Sequence, residues 1–197
     1  MAKKKPKYNQ EAAIRGALRR AFSRSPLVQE VMAESRREVP RYNKDGSRHK
    51  KNWVQRQCQV CDEWVSTSKM AVDHKIPVIS VEEGKQDWDE FIARLWCAKE
   101  NLQRICDPCH DKKTYAERIA RLKIKYTQEL NDLEARIANA SGVRNLIGSS
   151  ASRYKDLIKE INKYTAKKKT IGLEEIVERA LRIKQEILAV KPVSNRR

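Results

Sequence analysis

Two identical cysteine pairs, Cys58-Gln-Val-Cys61 and Cys106-Asp-Pro-Cys109, constrain this chain more than any other feature. A Cys-x-x-Cys turn aims two thiolates at one point, and two such turns make a tetrahedral set suited to zinc. The 44 residues between the pairs are too many for a compact zinc ribbon, so the pairs are expected to close a real structural unit. Four thiolates leave no open coordination position, which makes the implied Zn²⁺ structural. A disulfide framework would need an oxidising compartment. The opening Met-Ala-Lys-Lys-Lys-Pro-Lys lacks the apolar stretch of a secretory signal, and no long apolar run follows. The expectation is a soluble cytoplasmic protein with no membrane partner. Cys97 has no partner at ligand spacing and reads as a free thiol.

Charge points to the partner. The formal net charge is +17, more than solubility requires, and a polyanion is the simplest counterpart. Its distribution is uneven: residues 1–57 carry 16 Lys/Arg against 5 Asp/Glu, residues 58–110 carry 6 against 10, and residues 111–197 carry 21 against 11. An acidic-leaning centre between basic flanks suits cations held in the middle and DNA phosphates gripped from both sides. The plainer alternative is that the flanks are solvated helix faces.

The hydrophobic share of 40% beside 35% charged residues predicts one modest core. Apolar spacing predicts a helix over 10–24 and, after the Ser25-Pro26 start signal, a second helix to about Val39. The stretch from Arg41 to Arg56 has no apolar period and reads as a basic arm around an Asp45-Gly46 turn. Its Lys50, Lys51 and Arg56 are candidate DNA contacts; Trp53 either stacks on exposed bases or tucks into the core. Val72, Ile76, Val78 and Ile79 predict a strand between 69 and 79. Asp87 to Glu90 predict a capped helix packing through Trp88, Phe91, Ile92, Leu95 and Trp96. From Asp111 a long helix is expected to about Ala138, with breaks at Ser141-Gly142 and Gly148-Ser149-Ser150 and amphipathic segments near 154–164 and 173–188. That tail is expected to pack on the long helix or to pair two copies as a homodimer.

Between the cysteine pairs lie Val72-Asp73-His74-Lys75-Ile76-Pro77 and Asn101-Leu102-Gln103-Arg104-Ile105-Cys106, the latter leading into Cys109-His110-Asp111-Lys112-Lys113-Thr114. This order resembles the HNH endonuclease family, which joins an Asp-His strand, an Asn-Leu segment and a Cys-His-x-x-Lys helix start. The resemblance covers about residues 53–115, and stand-alone proteins of this build resemble phage-encoded and homing enzymes. It implies an α+β fold, a small ββα-metal core with a four-cysteine zinc knuckle, flanked by N-terminal helices and a long helical C-terminal extension. The implied division is 1–52, 53–115 and 116–197.

The resemblance also assigns roles. His74 becomes the general base, since an imidazole titrates near neutrality. Asp73 and His110 match positions that hold one divalent cation, with Mg²⁺ or Mn²⁺ the natural guess. Asn101 would orient the loop bearing the base, and Lys112, Lys113 and Thr114 would meet phosphate near the first helical turn. The departure is the helix-bearing insertion between Pro77 and Asn101. Other readings stay open: His110 as a zinc ligand in a three-cysteine site, a non-catalytic zinc-dependent DNA-binding protein, a coiled-coil scaffold, or a helix-turn-helix within Val143–Ile161.

Overall fold

The computed structural model describes residues 8–84, 87–148, 150–167 and 170–190. The basic run 1–7 and Ser149 of the second expected helix break lie outside them. Among the described residues the chain is α+β, with seven α-helices and two small antiparallel sheets. It divides into two compact units, one up to Tyr115 and one from Ala116. Among the described residues, no helix is long and apolar enough to cross a membrane.

The first unit opens with α1 (Gln10–Phe22), capped by Asn9, whose side chain accepts from Ala12 N at 3.0 Å. Helix α2 (Pro26–Ala33) starts where the sequence signals it, with Ser25 as cap and Pro26 in the first turn. It ends at Ala33 rather than near Val39, and residues Arg37–Val39 form strand β1 instead. Two side chains redirect the chain there. Arg104 Nη1 takes the Val31 carbonyl at 2.8 Å, and Ser35 Oγ accepts from Gln57 N at 2.9 Å. These bonds tie the end of α2 to the sheets.

Strand β1 pairs with β2 (Trp53–Gln57), and β2 with β3 (Trp64–Ser66), both antiparallel. The stretch read as a basic arm without an apolar period therefore contributes a central strand, reached through the Asp45-Gly46 turn that a Tyr42–Arg48 bridge closes. Trp53 stays 52% exposed, so it does not enter the core.

A second ribbon pairs β4 (Met70–His74) with β5 (Leu102–Cys106); Met70 faces Cys106 and His74 faces Leu102. The insertion between these strands contains α3 (Trp88–Leu95), with Asp87 Oδ1 accepting from Glu90 N at 2.8 Å. Phe91 and Leu95 pack with Phe22, Val31, Val78 and Leu102. Trp88, Ile92 and Trp96 remain about two-fifths exposed, so only part of the expected packing face is core. Cys97 lies against this cluster.

Strand β5 runs without a loop into α4 (Asp107–Asn139). Pro108 fits there because first-turn N–H groups have no helical partner to lose. In the second unit, later turns of α4 are followed by α5 (Val143–Ile147), α6 (Ala151–Thr165) and α7 (Glu174–Ala189). Ser141 and Gly142 break the chain with φ of 58° and 112°. Helix α5 has five residues, too short to be the first member of a DNA-reading helix pair. Leu130, Leu133, Ile147, Ile161, Leu173 and Ile187 are fully buried in one continuous core.

Candidate functional site

The four thiols of Cys58, Cys61, Cys106 and Cys109 lie within 4.8 Å of one another, close enough to bind one metal ion. Tetrahedral sulfurs with Zn–S bonds of about 2.3 Å stand about 3.8 Å apart, and Cys61 Sγ lies 3.8 Å from Cys106 Sγ. The site fits zinc in donor type and in size. The first turn is closed by Cys58 N donating to Glu63 O and Asp62 N donating to Cys58 O, with Asp62 in the left-handed region at φ 60°. The second pair straddles the junction of β5 and α4, so a strand end supplies one thiol and a helical turn the other.

Electrostatics in the cluster are uneven without a cation. Burial opposes ionisation of Cys58, but backbone N–H groups of Cys106, Cys61 and Val60 outweigh it and bring the thiol down to about 6. Hydrogen bonding to Cys106, together with burial, pushes Cys109 up to about 12. Neighbouring thiolates repel, and a divalent cation removes that obstacle by stabilising every sulfur as thiolate.

The sequence also leaves two supporting side chains unremarked. Gln59 inside the first turn donates its N–H to Arg104 O at 2.9 Å and accepts from Arg104 N through Oε1 at 2.7 Å. It clamps the knuckle to β5. Arg104 is 7% exposed, pairs with Glu34, and braces α2 against the same strand. A charged residue within the otherwise apolar run Leu102–Cys106 was the available signal.

At the far end of the β4–β5 ribbon, roughly 13 Å along the strand from Met70, the other predicted residues gather. Lys113 lies about 10 Å along α4 from Cys106 by helical rise. Its Nζ meets both Asp73 Oδ2 and His74 O at 2.7 Å. The lysine expected to face phosphate thus sits between a carboxylate and a carbonyl. His110 lies three residues earlier, on the same helix face.

His74 is 8% exposed, and its Nε2 lies 2.9 Å from Leu95 O. A carbonyl only accepts, so Nε2 carries a proton in this contact. Phe22 packs on this ring at 5.0 Å between centroids. Strand alternation separates the two neighbours: Asp73 turns to α4 and His74 to the cluster of α1 and α3. The structure therefore joins Asp73 with Lys113 but directs the His74 ring to the other side of the ribbon.

Asn101 holds the turn that follows His74. Its carbonyl accepts from Lys75 N at 2.7 Å, its Oδ1 accepts from Ile76 N at 2.8 Å, and its Nδ2 donates to Ile76 O at 3.5 Å. Of the candidate DNA contacts, Lys50, Lys51, Lys112 and Thr114 are exposed. Arg56 is half-buried and donates to Ser35 O at 2.9 Å, a structural bond. Burial, with Arg36 and Arg104 nearby, lowers its pKa.

A β-ribbon and helix tied by four thiols that can hold one metal ion define a small α+β metal-site module. Compared with known proteins, the chain matches no family model, no curated protein and no solved structure.

Proposed function

We propose that this protein is a metal-dependent DNA endonuclease of the HNH type, hydrolysing phosphodiester bonds with His74 as general base. The observation that carries the reading is the order ribbon then helix, which sets Asp73 and His74 at the ribbon end reached by Lys113 of the Cys-His-x-x-Lys helix. The four-thiol site at the opposite end supports it as a structural zinc centre that keeps α4 on the ribbon.

Asp73 and His110 are the residues proposed to hold the second, catalytic cation. Lys113 Nζ lies 2.7 Å from both Asp73 Oδ2 and His74 O, so a divalent cation held by Asp73 and His110 would have to displace that ammonium. Bound Mg²⁺ or Mn²⁺ supplies Lewis-acid stabilisation of the crowded phosphate. His74 is the residue proposed to take the proton of the attacking water, which requires its ring to leave Leu95 O and Phe22 and turn to the Asp73 side of the ribbon. Asn101 fixes the turn that carries it, and Lys113, once released from Asp73, offers its charge to phosphate.

Plasmid nicking by the purified protein tests the reading. Cleavage should require Mg²⁺ or Mn²⁺ and be lost in Asp73→Ala and His110→Ala, with partial recovery as metal is raised. Absence of cleavage at any divalent concentration with zinc in place rejects it.

A second reading is a zinc-dependent DNA-binding protein without catalysis. The burial of His74 against Phe22 favours it, because that environment suits a core histidine.

A further inference from the structure

The three-stranded sheet has two unlike faces. On β2, alternation puts Trp53, Gln55 and Gln57 on one side and Val54 and Arg56 on the other. The register adds Arg37 opposite Gln55 and Trp64 opposite Gln57 to the first side. At Arg56 and Val65 the second side turns inward, where Arg56 bonds Ser35 O and Val65 packs on the cluster of Cys58, Ile105 and Cys106, while Glu38 on the same side stays exposed. The face with both tryptophans is the outer one.

Its chemistry is specific. The Arg37 guanidinium lies over the Trp64 ring at 4.4 Å, and Arg41 lies over Trp53 at 5.9 Å. Arg37 Nε also donates to Gln55 Oε1 at 2.9 Å, which fixes the guanidinium on the sheet. The strands contain one carboxylate, Glu38, and its register opposite Val54 turns it away, where Arg36 and Asn52 hold it. Arg48, His49, Lys50 and Lys51 line an open cleft with Asn52 and with Glu38 and Val54, which share the other side of the sheet.

We infer that this face binds single-stranded DNA, stacking unpaired bases on the Trp53–Arg41 and Trp64–Arg37 platforms, whose guanidinium groups supply the positive charge. Charge complementarity selects the occupant, since Arg37 and Arg41 lie over the two rings while Glu38, the one carboxylate of the strands, is on the other side. Every base has a π-face, so indole and guanidinium planes on a flat sheet accept unpaired bases without reading sequence. Duplex readout instead needs an element that enters a groove, which a sheet face with stacked rings does not provide. The inference deepens the nuclease reading, on which it rests for its purpose: the substrate would carry an unpaired segment.

The experiment is anisotropy of a labelled oligothymidylate and a matched duplex with the full zinc-loaded chain, without added Mg²⁺ or Mn²⁺. The single strand should bind more tightly at equal salt, and affinity should fall steeply as salt rises. Trp53→Ala and Trp64→Ala should each weaken it by about 5- to 100-fold, and Trp53→Phe should recover most of the loss. Zinc content reports that each variant is folded. Tighter binding of the duplex, or unchanged affinity in both alanine variants, overturns the inference. Single-strand binding with no cleavage of plasmid, gapped duplex or single strand by the parent in Mg²⁺ or Mn²⁺ sinks the nuclease reading alone; cleavage with no tryptophan dependence of binding sinks this one alone.

Discussion

Among the described residues of the unit up to Tyr115, the hydrophobic cluster around the four thiols buries Cys58, Ile105 and Cys106, and a separate cluster buries six residues led by Phe22 and Leu95. The unit from Ala116 onward buries thirteen residues in one cluster and contains no cysteine. A fully buried aliphatic or aromatic side chain contributes roughly 1.5–3 kcal/mol, so the helical unit can stand on apolar burial. The thiol-centred region cannot. Structural zinc in small domains is worth about 10–16 kcal/mol in apparent binding free energy, which outweighs anything its few apolar neighbours supply. One part of the chain is held by hydrocarbon, and the other is assigned to a metal ion.

The largest effect should separate them. Stripping zinc with a chelator, or Cys106→Ser, is expected to unfold the ribbon and its knuckles while amides of α6 and α7 keep their exchange protection. Simultaneous loss of protection in both regions would break the comparison. Next in size, Leu133→Ala or Ile161→Ala should cost about 2–5 kcal/mol in denaturant unfolding of the helical unit, with zinc stoichiometry unchanged.

Gly172 offers a smaller probe of the same core. Its φ is +88°, and an added Cβ would stand 2.9 Å from Ile119 Cγ2. Gly172→Ala should therefore destabilise the helical unit by about 1–3 kcal/mol, read as a lower denaturation midpoint. The smallest effect concerns the Glu134–Arg179 pair. Hydrogen bonding from Arg179 holds the Glu134 carboxyl below its ordinary value of 4.5. That stability is present above about pH 4.5 and is lost as pH falls through the depressed value. Glu134 is 43% exposed, so the loss should stay under about 1 kcal/mol. Arg179→Met should flatten the acid limb of stability against pH.

The same division explains what the sequence discloses. Helix starts at Ser25 and Asp87 are legible because a capping side chain acts within three residues. The four cysteines are legible because thiol spacing is a local property that the fold only has to close. Strand β1 is not, since its existence depends on Arg104 and Gln57, tens of residues away. The exposed face of the three-stranded sheet escapes for the same reason: Trp64 and Arg37 meet only through strand register. At the candidate site, Asp73 and Asn101 are recognisable by motif, but the pairing of Lys113 with Asp73 requires the helix to lie along the ribbon.

A buried imidazole at the ribbon end is either catalytic or only packed. Single-turnover cleavage of DNA by His74→Ala, with zinc content and DNA affinity measured on the same preparation, decides it. General-base catalysis is typically worth about 10²–10⁴-fold, and the rate should fall by that amount while zinc and affinity stay at the parent level. Cleavage at the parent rate with zinc bound would contradict the hydrolytic role of His74 and leave a zinc-dependent DNA-binding protein as the better description.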